Sequence, residues 1–375
     1  MINLEGKYGN AKVFIGEIEK TAEEQIVRLL NQDFIEGSKV RIMPDVHAGA
    51  GCVIGFTADL GDKVIPNLVG VDIGCGVIVV NLGKIEINME KLDKIIKQNI
   101  PSGYRTHRDR LEEFPRLKEL HCYRELNDTK RIERSIGTLG GGNHFIEINA
   151  DNNDNKYLVI HSGSRNLGHQ VAIYYQRLAV DMCSVKEEYA HLQAKYDKDL
   201  CYLTGEYKDQ YLHDMKICQE YATLNRDTMA KIILTQKFNK ELKEFDYFHT
   251  IHNYIDFADN IIRKGSISAY KDQKVLIPIN MRDGSILAKG KGNPDWNYSA
   301  PHGAGRLMSR TQAKKDINLG EFRESMEGIY STSVGKSTLD EAPMAYKSMD
   351  EIIDNVGDTI EIIDIIKPIY NFKDN

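Results

Sequence analysis

Short apolar runs broken by glycine fill the first half of the chain. "KVRIMPDVHAGAGCVIGFTADLG", "NLVGVDIGCGVIVVNLG" and "YLVIHSGSRNLG" each read as a strand leading into a turn, because brief apolar stretches bounded by glycine and small polar residues fit buried strands better than helices. From about residue 170 to 265 the pattern changes. "VAIYYQRLAVDMCSVKEEYAHLQAKYDKDL" and "ICQEYATLNRDTMAKIILTQKFNKELKEF" hold few glycines, and their apolar positions recur every three or four residues. That spacing predicts helix. From "DQKVLIPINMRDGSILAKGKGNPDWNYSAPHGAGRLMSR" onward the glycine-rich strand-and-loop texture returns. No Ser/Pro linker, charge block or internal repeat marks a boundary. The expected architecture is a single compound α+β domain over residues 1–375, with central β-sheets and a mainly helical insertion at about 170–265.

Composition narrows the class only slightly. With 375 residues, 41% apolar and 28% charged, the chain has the profile of a globular protein rather than a disordered or fibrous one. The N-terminal segment "MINLEGKYGNAKVFIGEIEK" lacks the continuous apolar stretch of a signal peptide, and no apolar run is long enough to predict a membrane span. A cytoplasmic location and no membrane partner are therefore expected. Six cysteines, irregularly spaced and without a CxxC pair, do not suggest a disulfide framework or a zinc finger. A net charge of −6 gives no global attraction to nucleic acid, so a polyanionic substrate would need a local basic patch.

Polar residues flanked by glycine carry the candidate chemistry. "VGVDIGCGV" sets Asp72 and Cys75 three apart near what reads as the end of a buried strand. "GTLGGGNHFIEI" puts Asn143 and His144 before an apolar alternation, and "LVIHSGSRNLGHQ" puts His161 at the end of another. "FHTIHNY" holds His249 and His252 three apart, a spacing read as helical. Singly, each has a plain explanation: a turn carboxylate, a small buried thiol, a core imidazole. Together, carboxylate, thiolate and imidazole donors suit a transition metal, with zinc first on ligand softness. "GGGNH" could cradle phosphate, or be only a flexible turn.

"NYSAPHGAGRLMSR" is sharper. It reads as a loop feeding a helix, so the amides of Gly303, Ala304 and Gly305 could bind an anion, and Arg306 and Arg310 would share one helical face. A neutral imidazole at His302 could attack phosphorus. The plain reading is a helix cap with two surface arginines.

In this order the segments "PDVHAGAGCVIGF", "VGVDIGCGV", "GTLGGGNHFIEI", "HSGSR", "HNY" and "HGAGRLMSR" resemble the RtcB family. Its members are GTP- and manganese-dependent RNA ligases that join 2′,3′-cyclic phosphate or 3′-phosphate ends to 5′-hydroxyl ends. The resemblance implies two Mn2+ ions held by Asp72, Cys75, His144, His161 and His252, with Cys75 as the bridging thiolate. It implies a guanylylated histidine at His302, oriented by Asp45. Asn143, Phe145, Glu147, Asn253, Gly303, Ala304, Gly305 and Lys373 would bind GTP, while Arg165, Arg306 and Arg310 would hold its phosphates or those of the RNA ends.

Two departures stand out. The segment before His302 lacks the family's Gly-Ser-Met-Gly, and the terminal Val-Lys-Gly is replaced by "FKDN". Both features resemble a shorter branch associated with RNA repair, with a release-factor homologue or ribosomal RNA as partner, rather than with tRNA splicing. Two other readings compete: a metal-dependent phosphoesterase acting on RNA ends without ligation, favoured if "IPINMRDG" forms no guanine pocket, and a non-catalytic RNA-binding partner. Cys52, Cys122, Cys183, Cys201 and Cys218 are expected to be structural, and His47, His169 and His249 carry no assignment.

Overall fold

The computed structural model describes residues 1–185 and 197–374. Along the chain run β1 (Ile2–Glu5), β2 (Asn10–Val13), α1 (Lys20–Leu30), β3 (Val40–His47), β4 (Ile54–Asp59), β5 (Gly76–Gly83), α2 (Met89–Asn99), α3 (Thr129–Glu133), β6 (Phe145–Ala150), β7 (Lys156–Ser162) and α4 (Arg165–Val185). Further along come α5 (Gly205–Phe238), β8 (Asp246–Ile251), β9 (Asn253–Asp256), β10 (Ile261–Lys264), β11 (Ser266–Ser268), β12 (Lys274–Asn280), β13 (Gly284–Gly290) and β14 (Ser299–Pro301). The last part holds α6 (Arg310–Asp316), α7 (Leu319–Ser325), β15 (Tyr330–Ser331), α8 (Met349–Val356) and β16 (Ile360–Phe372). The class is α+β, as the sequence pattern suggests.

One sheet runs β1-β2-β3-β4-β10-β9; a second runs β12-β13-β16-β6-β7-β5-β8 with β15 beside β16; β11 and β14 form a small ribbon. Gly76 to Val80 are all buried because β5 is an interior strand flanked by β7 and β8 and covered on both faces. That burial is why its sequence is continuously apolar instead of alternating. Side chains still sort by a period of two. Ile78 and Val80 join Ile146, Leu158, Ile160 and the α2 residues Leu92 and Ile96 in one core, while Val77 and Val79 face Phe145, Val159 and Leu276 in another.

α5 links the layers. Its first half packs Tyr211, Met215 and Cys218 into the core under the N-terminal sheet, and its second half packs Met229, Ile233 and Leu234 against the larger one. Asn239 ends it in the left-handed conformation at φ 54°, with the Lys240 amide reaching back to the Leu234 carbonyl, the usual device for satisfying last-turn carbonyls.

The helical expectation over 170–265 fails in its C-terminal part: helix stops at Phe238, and residues 246–264 form β8, β9 and β10. His249 lies on β8 and His252 between β8 and β9, so neither is helical. "DYFHTI" is rich in aromatic and β-branched residues, and pairing with β5 from Asp246↔Asn81 to Ile251↔Gly76 fixes it as strand.

Candidate functional site

Strand register builds the site. Phe145 pairs with His161 across β6 and β7, His161 with Val77 across β7 and β5, and Val77 with Thr250 across β5 and β8. One row therefore crosses four neighbouring strands, and Cys75, His144, His161 and His252 sit on it or within two residues of it. Cys75 lies two before Val77 and His252 two after Thr250, which keeps their side chains on the row's own face. Asp72 and Cys75 thus lead into a strand rather than end one, a correction to the sequence reading.

The donors converge. Cys75 Sγ lies 3.5 Å from His144 Nε2 and 3.3 Å from His161 Nε2, and His161 Nε2 is 3.4 Å from His252 Nε2. Backbone carbonyls set the ring tautomers: His144 Nδ1 donates to Leu139 O at 2.9 Å and His161 Nδ1 to Asn143 O at 3.2 Å. Each Nε2 then presents a lone pair. His144 Nε2 faces Asp72 Oδ2 at 3.1 Å, one acceptor against another, and Asp72 Oδ1 is buried without a hydrogen-bond partner. Only a shared proton or a cation reconciles that arrangement. The donor set fits a divalent transition metal.

Electrostatics agree. Burial, reinforced by Asp72, pushes the Cys75 thiol well up; a bound cation would reverse this. Burial drives His161 and His252 far below their ordinary range, helped by His144 in the first case and His302 in the second. Both stay neutral and able to ligate. Burial opposes ionisation of Asp72, but a proton shared with His144, the Arg165 charge and the Cys75 thiol together outweigh it and hold the carboxyl low. Gly163 is required here: a Cβ on it would lie 2.2 Å from Asp72 Oδ1.

His302 follows β14, and Asp45 lies on β3. Asp45 Oδ2 accepts from His302 Nδ1 at 2.6 Å and from the His302 amide at 3.1 Å. The ring is fixed with Nδ1 protonated and the lone pair on Nε2, while its face lies beside His252 with centroids 4.7 Å apart. Gly305, at φ +78°, brings this loop against β3, where a Cβ would meet the Asp45 carbonyl at 2.3 Å.

The loop does not feed a helix directly. Leu307 N bonds Ala345 O and Lys347 N bonds Gly305 O, which keeps 305–307 extended, and α6 begins only at Arg310 behind a Ser309 cap. Arg306 and Arg310 therefore share no helical face. The amides of Gly303 to Gly305 are not a helix N-terminus.

A cavity of about 300 Å³ joins the two clusters. Asp72, Cys75, His161, His252 and His302 line it together with Asn143, Phe145, Glu147, Asn253, Gly303, Ala304, Gly305, Arg306, Arg310 and Lys373. Burial raises Glu147 to about 7, against hydrogen bonds from Asn149 and Asn371 that favour its charge. Lys373 Nζ donates to Glu341 Oε2 at 2.8 Å and Asn143 O at 3.2 Å, and sits 5.6 Å from the Phe145 ring centroid. Asn253 braces two segments, donating to Asp72 O at 3.2 Å and accepting from Gly265 N at 2.9 Å.

The arginines differ in what they have free. Arg306 spends its donors on Met308 O, Asp340 O and Tyr346 OH. Arg310 pairs with Asp340 and Glu341 at 2.7 and 2.5 Å. Arg165 lies outside the cavity wall, behind His144, with Nη2 3.4 Å from Gly103 O and Nε 3.3 Å from Thr138 Oγ1. It opens α4 at φ 56°, a conformation costing a side-chain-bearing residue roughly 1–2 kcal/mol.

Sequence reasoning missed several residues. Glu341, Tyr346 and His47 line the cavity; Glu341 accepts from Lys373, Arg310 and the Tyr346 hydroxyl, and burial keeps His47 neutral by lowering it to about 4. On α5, Arg226 Nη1 donates to Gly74 O at 2.8 Å and Ser162 O at 2.9 Å, and Asn225 holds Gly137, Thr138 and Gly163. The unassigned His249 pairs with Asp227 at 3.0 Å.

The model of the family described as "tRNA-splicing ligase RtcB" matches residues 25–122 and 105–374. The chain is similar to "RNA-splicing ligase RtcB1" of Escherichia coli strain ATCC 25922, at 32% identity over 393 aligned positions, with 95% of each chain covered. It is equally similar, at 32% identity and the same coverage, to "RNA-splicing ligase RtcB" of Escherichia coli K12. Similarity to "tRNA-splicing ligase RtcB" of Nanoarchaeum equitans is 28% identity, with 83% of each chain covered. No described helix is long and apolar enough to cross a membrane.

Proposed function

The chain belongs to the RtcB family of RNA ligases, and from that premise we propose that it joins RNA 3′-phosphate or 2′,3′-cyclic phosphate ends to 5′-hydroxyl ends, through a guanylylated His302, with GTP and manganese. The carrying observation is the Asp45–His302 pair: a buried carboxylate holds Nδ1 protonated at 2.6 Å and leaves Nε2 free beside the ligand cluster. A non-catalytic RNA-binding module has no need of such a nucleophile.

Nε2 attacks the α-phosphorus of GTP; a P–N bond forms, the P–O bond to pyrophosphate breaks, and Asp45 stabilises the positive charge that develops on the ring. Phe145 and Glu147 flank the guanine, and Lys373 reaches over the Phe145 ring. The ionised Glu147 is an acceptor suited to guanine's N–H edge. Arg310 and Arg165 meet phosphate charge. An oxygen of the RNA 3′-phosphate then takes GMP from Nε2, regenerating the imidazole. Finally the 5′-hydroxyl attacks the activated 3′-phosphate, forming the phosphodiester and releasing GMP. A cyclic end is first opened by water. Asp72, Cys75, His144, His161 and His252 would hold two manganese ions, which supply positive charge for the phosphate oxygens when bound.

The segment where the chain departs from the family's wording supports a nucleotide pocket. Pro278, Ile279, Asn280 and Met281 line the same cavity as His302, which favours ligation over a phosphoesterase lacking a guanine site. The test is incubation with Mn2+ and α-labelled GTP: an acid-labile label on the denatured protein is expected, absent in His302→Ala. A label that persists in the variant removes His302 from the role.

A further inference from the structure

Tyr104 is the most exposed large apolar or aromatic side chain among the described residues, at 93%. Its backbone is nevertheless held from several sides. Leu139 N bonds Pro101 O at 2.9 Å, Ser102 forms a bridge with Gly140, Arg105 Nη2 donates to Ser102 Oγ at 2.8 Å, and Arg131 donates to the Tyr104 carbonyl. His107 N bonds Arg134 O at 3.1 Å. A fixed turn therefore presents the ring to solvent.

Its surroundings are cationic. Arg105, Arg108 and Lys130 are exposed, and these three with Arg131 and Arg134 make no ion pair among the described residues, whereas Arg110 pairs with Glu113 at 3.0 Å. Of the neighbouring acids, Asp374 lies against Gly103 and Gly141, Asp128 accepts from the Arg131 amide at 3.0 Å and Glu133 pairs with Arg110 at 3.7 Å, while Asp109 is exposed beside Arg108. Unpaired cations around an exposed ring are unexpected in a chain of net charge −6, and they supply the local basic patch that a polyanion requires.

The patch is also joined to the site. Gly103, next to Tyr104, accepts from Arg165 Nη2 at 3.4 Å, and the loop at Gly140, bridged to Ser102, leads through Gly142 into Asn143 and His144.

We propose that Tyr104 is a stacking platform for single-stranded RNA, on which a base near the reacting end rests while Arg105 and Arg108 contact its phosphates and Arg165 receives the end. Sequence-tolerant recognition of single strands needs this combination of aromatic face and basic track. The proposal rests on the ligase reading for the identity of the strand.

The test uses the full chain and an RNA of about ten nucleotides, the span of one such binding surface, carrying a 3′-phosphate and 2-aminopurine beside it. Binding should quench the fluorophore. Tyr104→Ala should weaken binding roughly tenfold and abolish the quench, while Tyr104→Phe and Tyr104→Trp keep both. Arg105→Ala/Arg108→Ala should reduce the slope of log affinity against log salt by roughly 1.4. Unchanged affinity and quench in Tyr104→Ala overturn the proposal, as does a loss confined to association with another protein. GMP labelling of His302, followed in parallel, separates the two readings: quench without any label in the parent protein defeats ligation and leaves stacking standing, and label without quench does the reverse.

Discussion

Arg226 of α5 donates through one nitrogen, Nη1, to the carbonyls of Gly74 and Ser162, at 2.8 and 2.9 Å. Gly74 precedes Cys75 and Ser162 follows His161, so a single guanidinium ties the turn bearing Cys75 to the strand end bearing His161. Burial lowers it to about 10, still well above neutrality. Replacing it by Met strands two buried carbonyls and should destabilise the fold by roughly 3 kcal/mol. Denaturant unfolding measures that loss, and a Mn2+ titration of the folded fraction should show weaker binding. Parent-like values in both would mean that the two segments hold themselves.

Asp45→Asn keeps the shape but removes the charge that fixes the His302 tautomer. GMP labelling of His302 should slow by roughly a hundredfold or more, with metal stoichiometry unchanged. Labelling at the parent rate would leave Asp45 only a packing role.

Glu147 gives a pH test. Burial raises its folded-state value from 4.5 to about 7. The folded chain therefore binds more protons than the unfolded one in that window; the stabilisation is complete below 4.5 and lost as pH rises through about 7. Glu147→Gln should be more stable than the parent at pH 8 by on the order of 2–3 kcal/mol. Guanine-nucleotide affinity should move oppositely, rising through pH 7 in the parent and staying flat in the variant. A pH-independent parent affinity would take Glu147 out of guanine recognition.

Gly163→Ala places a methyl 2.2 Å from Asp72 Oδ1 unless something moves. The carboxylate is the part that can yield. Calorimetric titration with Mn2+ should show lost affinity while the melting temperature without metal falls by only a few degrees; retained affinity would mean that Oδ1 takes no part in holding the ion.

Much of the site was legible because its donors sit beside glycines at strand ends, where composition changes abruptly. Asp72, Cys75, His144, His161, His252 and His302 were all singled out, and the fold brings them to one cavity and its edge. What local pattern could not supply was pairing. "FHTIHNY" carries a helix-like His spacing, yet β5 recruits it as strand. Arg306 and Arg310 have helical spacing, yet backbone bonds from Leu307 to Ala345 and from Lys347 to Gly305 keep Arg306 extended. Arg226, Glu341 and Tyr346 gave no signal because what they do depends on partners far away in sequence, 152 residues in the case of Arg226 and Gly74.

The same separation has a meaning for synthesis. Cys75 meets His161 across 86 residues, Lys373 meets Asn143 across 230, and His302 meets Asp45 across 257. A chain still emerging from the ribosome holds no working fragment of this centre: the thiol waits for its imidazoles, and the carboxylate on β3 waits for 257 further residues before its histidine arrives. Chemistry on RNA begins only once both ends of these long-range contacts have been translated.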